Sequence, residues 1–240
     1  MAKKAAAKSA KELAEELLNP RKNGFFKVSD EKIEKADKFC EGYKAFLDSA
    51  KTERESVDYA VKAAEKHGFV PFDPKHQYAP GDKVYYNNRG KSICLAIIGK
   101  EGCKNGVRIA AAHIDNPRID LKPIPLYEST EMVYLKTHYY GGIKKYQWTA
   151  IPLAMHGVII KRDGTSVQVC VGEEPGDPQF TITDILPHLG QDQAAKPLGS
   201  AFTGEDLNIL IGSRPVRDEE VKDAYKLNVM RILNEKYGIV

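Results

Sequence analysis

Within the stretch VRIAAAHIDNPRIDLKP, two residues stand out for their chemistry, His113 and Asp115. An apolar run carries straight into the histidine, and Pro117 stops it. On a strand, residues i and i+2 share a face, roughly 6.5–7 Å apart along the chain. An aspartate carboxylate at that distance bends back to the imidazole. It then fixes the ring tautomer and raises the basicity of the other nitrogen, as metal-binding histidines require. Strand ends in α/β sheets are where such sites sit, and Pro117 stiffens the exit. A hydrogen-bonded surface histidine also satisfies His-x-Asp, and that reading stays open here. A zinc site needs three or four protein ligands, and no others group in the sequence. HExxH, GxSxG, GxxxxGK[ST] and GxGxxG are all absent. His67 lies at a helix end and His76 in a proline-rich loop. His138, His156 and His188 are scattered through a β-rich region, where each by itself reads as structural.

The elements that must position His113 come next. Residues 28–51, VSDEKIEKADKFCEGYKAFLDSAK, place Ile33, Ala36, Phe39, Tyr43 and Phe46 at helical spacing, with Ser29 or Asp30 as the cap and Cys40 beside the stripe as a small apolar residue. TERESVDYAVKAAEKHG is a second helix, with Thr52 and Glu55 as a capping box and Gly68 closing its C-terminus. KVYYNN, SICLAIIG and VRIAAAHID then read as three strands, the last two joined as a hairpin by GKEGCKNG. Helices followed by buried strands indicate a layered α/β domain. From about residue 126 the texture turns mostly β, with VYLKTHYY, AIPLAMHGVII, TSVQVCVG and LNILIGS as short strands. DEEVKDAYKLNVMRILNEKYG is an amphipathic helix with Val221, Tyr225, Val229 and Ile232 on its apolar face and Gly238 at its stop. The boundaries expected are 1–125, 126–213 for a separate β-rich domain, and 214–240 for a helix leading back. The first part has few strands and leaves a sheet edge open, which points to the front part of a longer protein.

Composition narrows the class. A chain of 240 residues that is 42% hydrophobic holds one large domain or two small ones. The longest apolar stretch, residues 93–98, is too short to span a bilayer, and no secretory h-region follows the start. Cys40, Cys94, Cys103 and Cys170 lack CxxC spacing and read as reduced thiols in a cytoplasmic protein. The net charge of +3 sits in residues 1–22, which hold six Lys/Arg and three Glu. The body is neutral, which argues against a nucleic-acid-binding face. The leader reads as a solvated helix; its glutamates and the lack of arginine before Arg21 count against a transit peptide.

A wider pattern bears on the choice. AAAHIDNPRIDLKPIPLYE, THYYGGIKKYQW, IPLAMHGVII and GEDLNILIGSRPV occur in this order. Together they resemble the aspartyl aminopeptidase family of dinuclear zinc exopeptidases, and its bacterial aminopeptidase 1 branch most closely. The resemblance runs from about residue 24 to the end. It implies an α/β/α zinc-peptidase domain, incomplete here, interrupted by a β-rich dimerisation domain. It implies that His113 ligates one of two zinc ions, with cobalt or manganese as possible substitutes, and that Asp115 is the catalytic aspartate that orients His113. It implies peptide substrates and a homo-oligomer in which dimers assemble to a tetrahedral dodecamer, with no nucleic acid or membrane partner.

In relatives a loop of the inserted domain carries a histidine into a neighbouring active site, and DILPHLGQDQ, with His188, resembles that loop. Asp192 stands where those relatives have a second histidine, so His188 is open to a substrate role or a structural one. Tyr140, Gly141, Gly142 and Trp148 read as shaping the inserted domain. Family members are about twice this length, and the resemblance places the bridging aspartate, the general-base glutamate and the remaining ligands beyond residue 240. The expectation is a metalloaminopeptidase complete only with its C-terminal half. The alternatives are an inactive assembly or regulatory module and a nucleic-acid-binding β domain with a basic arm.

Overall fold

The computed structural model describes residues 8–19, 21 and 23–239. Residues 1–7, Pro20 and Lys22, on which part of the leader reading falls, lie outside the described residues. The chain divides into two compact units between Ser49 and Ala50.

In the first unit, α1 (Ala10–Leu17) starts at a capping box: the Ser9 amide donates to Glu12 Oε2 at 2.7 Å and the Glu12 amide returns to Ser9 Oγ at 3.3 Å. A 3₁₀ turn, Gly24–Lys27, is capped by Asn23, whose Oδ1 accepts from the Phe25 amide. The long helix α2 (Asp30–Ser49) occupies the expected span. None of its residues is fully buried; Phe39 and Tyr43 of the apolar stripe remain exposed, and so does Cys40.

In the second unit, α3 (Glu53–Lys66) forms as its sequence dictates. Thr52 Oγ1 accepts from the Glu55 amide, Glu55 Oε2 accepts from the Thr52 amide, and Gly68 leaves the helix at φ +81°. Its buried face is Ser56, Val57 and Ala64. A short strand, β1 (Val70–Pro71), pairs in parallel with β2 (Lys83–Asn88), which forms an antiparallel hairpin with β3 (Ser92–Ile97). The Tyr85 hydroxyl donates to Glu65 Oε1 at 2.8 Å and ties this sheet to α3.

The expected third strand of this sheet does not form: residues 106–117, and with them VRIAAAHID, have no strand pairing, and no hairpin joins them to β3. Ile109 is 81% exposed. The run has the composition of a buried strand, but among the described residues no neighbour pairs with it, and an unpaired backbone stays solvated.

Instead the chain extends after Pro117. The strand β4 (Arg118–Ser129) pairs antiparallel with β5 (Met132–Tyr140), and the register shifts between Leu121 and Leu126. Pro123 and Pro125 lie inside that shift; with no amide hydrogen they cannot continue the ladder, so the strand bulges where they sit. The hairpin turns on Thr130 and Glu131, at φ +50° and +63°. A second hairpin joins β6 (Met155–Ile160) to β7 (Ser166–Val171). Two single-turn helices, α4 (Gln191–Ala194) and α5 (Leu198–Ala201), precede β8 (Ile209–Gly212), which pairs with β5. Leu135, Ile182, Leu207 and Ile209 form the buried centre, with Trp148, Leu153 and Phe180 packed around it.

The last helix, α6 (Ala224–Tyr237), is shorter than its amphipathic pattern suggested, because Asp223 at φ +57° interrupts the helical path. Glu128 of β4 accepts from the Lys226 amide in its first turn, and Gly238 ends it at φ +63°. The fold is mixed α/β, built of small sheets and helices. No described helix is long and apolar enough to cross a membrane.

Candidate metal centre

His113 and Asp115 meet although no strand holds them. His113 Nδ1 lies 3.1 Å from Asp115 Oδ1 and 3.0 Å from the Asp115 carbonyl oxygen. A carbonyl oxygen only accepts, so Nδ1 carries the proton and donates to both. Among the described residues both contacts of the ring go through Nδ1, and the side chain is 84% exposed. Nε2 is therefore the nitrogen left free of these contacts, and in the neutral ring it carries the lone pair a metal ligand needs.

What fixes Asp115 comes from the hairpin. Arg118 at the start of β4 pairs with Tyr140 at the end of β5. That register brings the Tyr140 hydroxyl to Asp115 Oδ2, to which it donates at 2.5 Å. The tyrosine bond is the main reason the Asp115 carboxyl sits below its ordinary range; its backbone bond adds to it, desolvation opposes, and His113 contributes less than either. The same bond pushes the Tyr140 hydroxyl above its usual value. Each end of the pair thus stabilises its partner's functional form: an ionised acceptor and a protonated donor.

Arg118 braces the arrangement. Its Nε donates to Asp120 Oδ1 at 2.7 Å, Nη1 donates to the Asn116 carbonyl at 3.3 Å, and the guanidinium lies 4.2 Å from the centre of the Tyr140 ring. Nη1 is also 3.9 Å from Glu53 Oε2 in the first turn of α3. Desolvation works against the Arg118 charge, and Asp120, Glu53 and Tyr140 outweigh it. Gly141 follows at φ +79°, where its α-carbon side faces Pro117: a β-carbon there would stand 3.5 Å from Pro117 Cα. The Tyr-Gly-Gly turn therefore touches both the aspartate and the proline of the His-x-Asp-x-Pro segment.

Sequence reasoning missed Tyr140, Arg118 and Glu53. The tyrosine was visible only as part of a turn motif, and its link to Asp115 spans 25 positions. Trp148 packs against the buried core cluster. His188 lies exposed in the turn before α4, and no contact joins it to His113 or Asp115 among the described residues. One imidazole with an orienting carboxylate fits a quarter of a zinc coordination sphere. Among the described residues no second ligand joins His113 to complete a group of three.

Comparison with known proteins then settles the lineage. The profile of the family described as aminopeptidase I zinc metalloprotease (M18) matches residues 46–240. This chain belongs to the M18 peptidase family. A probable M18 family aminopeptidase 1 from Clostridium acetobutylicum is 50% identical over 228 residues, which are 93% of this chain and 49% of that relative. The crystal structure of the M18 aminopeptidase from Thermotoga maritima superposes with a TM-score of 0.85 at 42% identity, covering 92% of this chain and 48% of that one. An aspartyl aminopeptidase from Dictyostelium discoideum is more distant, 28% identical over 123 residues, half of this chain and a quarter of that relative. The M18 chain described here thus spans about half the length of the curated relatives it matches. Of the relatives named, the bacterial aminopeptidase 1 protein is more similar than the aspartyl aminopeptidase, as the motif order indicated.

Proposed function

We propose that this chain supplies one zinc ligand, His113, and its positioning carboxylate, Asp115, to the two-zinc centre of a metalloaminopeptidase. The chain reads as the N-terminal half of such a protein, and the other ligands belong to the half it does not span. The observation that carries this reading is the relay Tyr140 hydroxyl–Asp115 carboxylate–His113 imidazole, at 2.5 Å and 3.1 Å, which leaves Nε2 free of these contacts.

Asp115 holds the imidazole proton on Nδ1, and the Tyr140 hydroxyl fixes the carboxylate in place and further favours its ionised form. Arg118 fixes the tyrosine ring from its other side. Zinc ions bound there would polarise the scissile carbonyl and lower the pKa of a water. Removal of that water's proton and its return to the leaving amine require a general base, for which the resemblance points to a glutamate outside this chain. The substrates proposed are peptides, cleaved at the first residue. The assembly proposed is a homo-oligomer of dimers built through the β-rich domain, up to a tetrahedral dodecamer, with His188 reaching a neighbouring active site. The domain limits proposed remain 1–125, 126–213 and 214–240.

Assays on aminoacyl-nitroanilides with added zinc, cobalt or manganese test the reading. The 240-residue chain alone should show no robust turnover. Co-expression with the remaining half of an M18 aminopeptidase should restore it, and His113→Ala should abolish what is restored. Robust turnover by the isolated chain, or full activity of the complemented His113→Ala protein, contradicts the assignment. A second reading, an assembly module without catalysis, is favoured by the exposed apolar residues Ile97, Ile109 and Ile124. It predicts a stable oligomer by light scattering and no rescue on complementation.

A further inference from the structure

A second histidine is held very differently. His156 on β6 lies directly opposite Cys170 on β7, the two being Cα partners in the hairpin register. Opposed residues in an antiparallel pair bring their side chains together on one face, and Cys170 Sγ stands 3.9 Å from His156 Nε2. After β7 the chain turns at Gly172, at φ +109°, where a β-carbon would come within 3.0 Å of Ala154 Cα, so only glycine fits. The Gly172 amide donates to Asp177 Oδ2 at 2.9 Å and closes that turn. Glu173 is thereby folded back over the hairpin, with Oε1 3.1 Å from His156 Nε2. The ligating atoms of His156, Cys170 and Glu173 all lie within 4.8 Å of one another.

The other face of the ring is fixed from α3. His156 Nδ1 donates to Glu55 Oε1 at 2.8 Å, while the second oxygen of Glu55 stays in the capping box with Thr52. The Glu55 carboxyl sits below its ordinary range: partial burial pushes it up, and the bonds from His156 and Thr52 outweigh that. The imidazole itself is only 11% exposed, so the carboxylate–histidine arrangement has little freedom to rotate.

We propose that His156 Nε2, Cys170 Sγ and a Glu173 carboxylate oxygen form a binding site for a divalent transition-metal ion of the zinc type, with Glu55 orienting the histidine. The distances fit. With zinc–nitrogen and zinc–oxygen bonds of about 2.0–2.1 Å and zinc–sulfur of about 2.3 Å, tetrahedral edges come to about 3.3 Å for nitrogen–oxygen and about 3.6 Å for nitrogen–sulfur. The two edges to His156 are 3.1 Å and 3.9 Å, and the third, from Cys170 to Glu173, is within 4.8 Å. Small side-chain rotations close that difference. Three protein ligands leave a fourth position for water. The mixed nitrogen, sulfur and oxygen set selects zinc or cobalt over magnesium or calcium, which take oxygen ligands. The surroundings favour a dication. The Cys170 thiol is raised first by desolvation and then by the charges of Glu173, Glu55, Asp177 and Glu174. A bound cation reverses that effect: the thiol loses its proton to solvent as the metal–sulfur bond forms.

The test uses the 240-residue chain and cobalt(II), because cobalt bound by thiolate gives a charge-transfer absorption in the near ultraviolet. Titration should produce that band, and competing zinc should abolish it. Cys170→Ser, at an exposed position, should remove the band while leaving the circular dichroism spectrum unchanged. Glu173→Gln should weaken binding, and Glu55→Gln should cost about 10–100-fold in affinity. His113→Ala should leave the band intact, so this site and the proposed catalytic one are read independently. Absence of the band in the wild-type chain, or its survival in Cys170→Ser, overturns the proposal and leaves His156 as a hydrogen-bonded brace between β6 and α3.

Discussion

The same kinds of residue meet opposite fates in two regions. Ile182 and Leu207 are completely buried, while Ile109 is 81% exposed. Ile182 and Leu207 even have polar sequence neighbours, Thr181 and Thr183 for the one and Asp206 and Asn208 for the other, whereas Ile109 runs into three alanines. The first two are enclosed by β5, β8 and the loop before α4; the third belongs to a segment that no strand pairs with. Burial is thus decided by what a segment packs against, not by its composition. The His-x-Asp motif straddles the border between these regions. His113 rides on the unpaired segment, and Asp115 is anchored by Tyr140 at the open end of the β4–β5 hairpin. Among the described residues, the side-chain contacts that hold this pair come from its C-terminal side.

The largest effect that could break this contrast is loss of function. In the complemented protein, His113→Ala should eliminate measurable aminopeptidase turnover, since the ring is the one ligand this chain is proposed to give to the catalytic zinc centre. Next in size is the core. Ile182→Ala should destabilise the 240-residue chain by about 2–5 kcal/mol in urea unfolding, whereas Ile109→Ala should change it by less than about 0.5 kcal/mol. Equal effects at the two positions would show that residues 106–117 are packed in solution after all.

A smaller effect sharpens the anchoring claim. Tyr140→Phe removes the hydroxyl from Asp115 and should lower turnover or zinc affinity of the complemented protein by about 10–100-fold, with the fold unchanged. Gly141→Ala places a side chain at φ +79° and should cost about 1–2 kcal/mol of stability.

The smallest effect is read by pH. The Asp115 carboxyl is lowered in the folded chain. Its charged interactions are therefore fully present above the ordinary aspartate pKa and are lost as pH falls through the lower folded value. Carbon-detected titration should find the Asp115 midpoint below that of an unperturbed aspartate, and Tyr140→Phe should move it back up. A midpoint that does not respond to the tyrosine contradicts the relay.

Local signals were legible. The capping box at Thr52 and Glu55, the stop at Gly68, the β2 and β3 strands and the glycine closing α6 all stand where the residues place them, because each depends on neighbours a few positions away. The His113–Asp115 contact was legible for the same reason. The strand β4 was not: Pro123 and Pro125 mark a break, and only the partner strand β5 shows that the break is a bulge within a ladder. VRIAAAHID misled in the other direction, since its composition demands a partner the described residues do not supply. Tyr140 and Glu55 act across 25 and 101 positions. No periodicity or spacing rule reaches that far, so their roles emerge only once the sheets are assembled.

The claim that bears most weight is that Asp115 holds His113 with its proton on Nδ1. Long-range proton–nitrogen correlation spectra of the folded chain report that directly. In the neutral form of the ring the proton should sit on Nδ1 and leave Nε2 free, with a return to mixed tautomers in Asp115→Ala. A neutral ring protonated at Nε2, or a spectrum indifferent to the loss of Asp115, would contradict it.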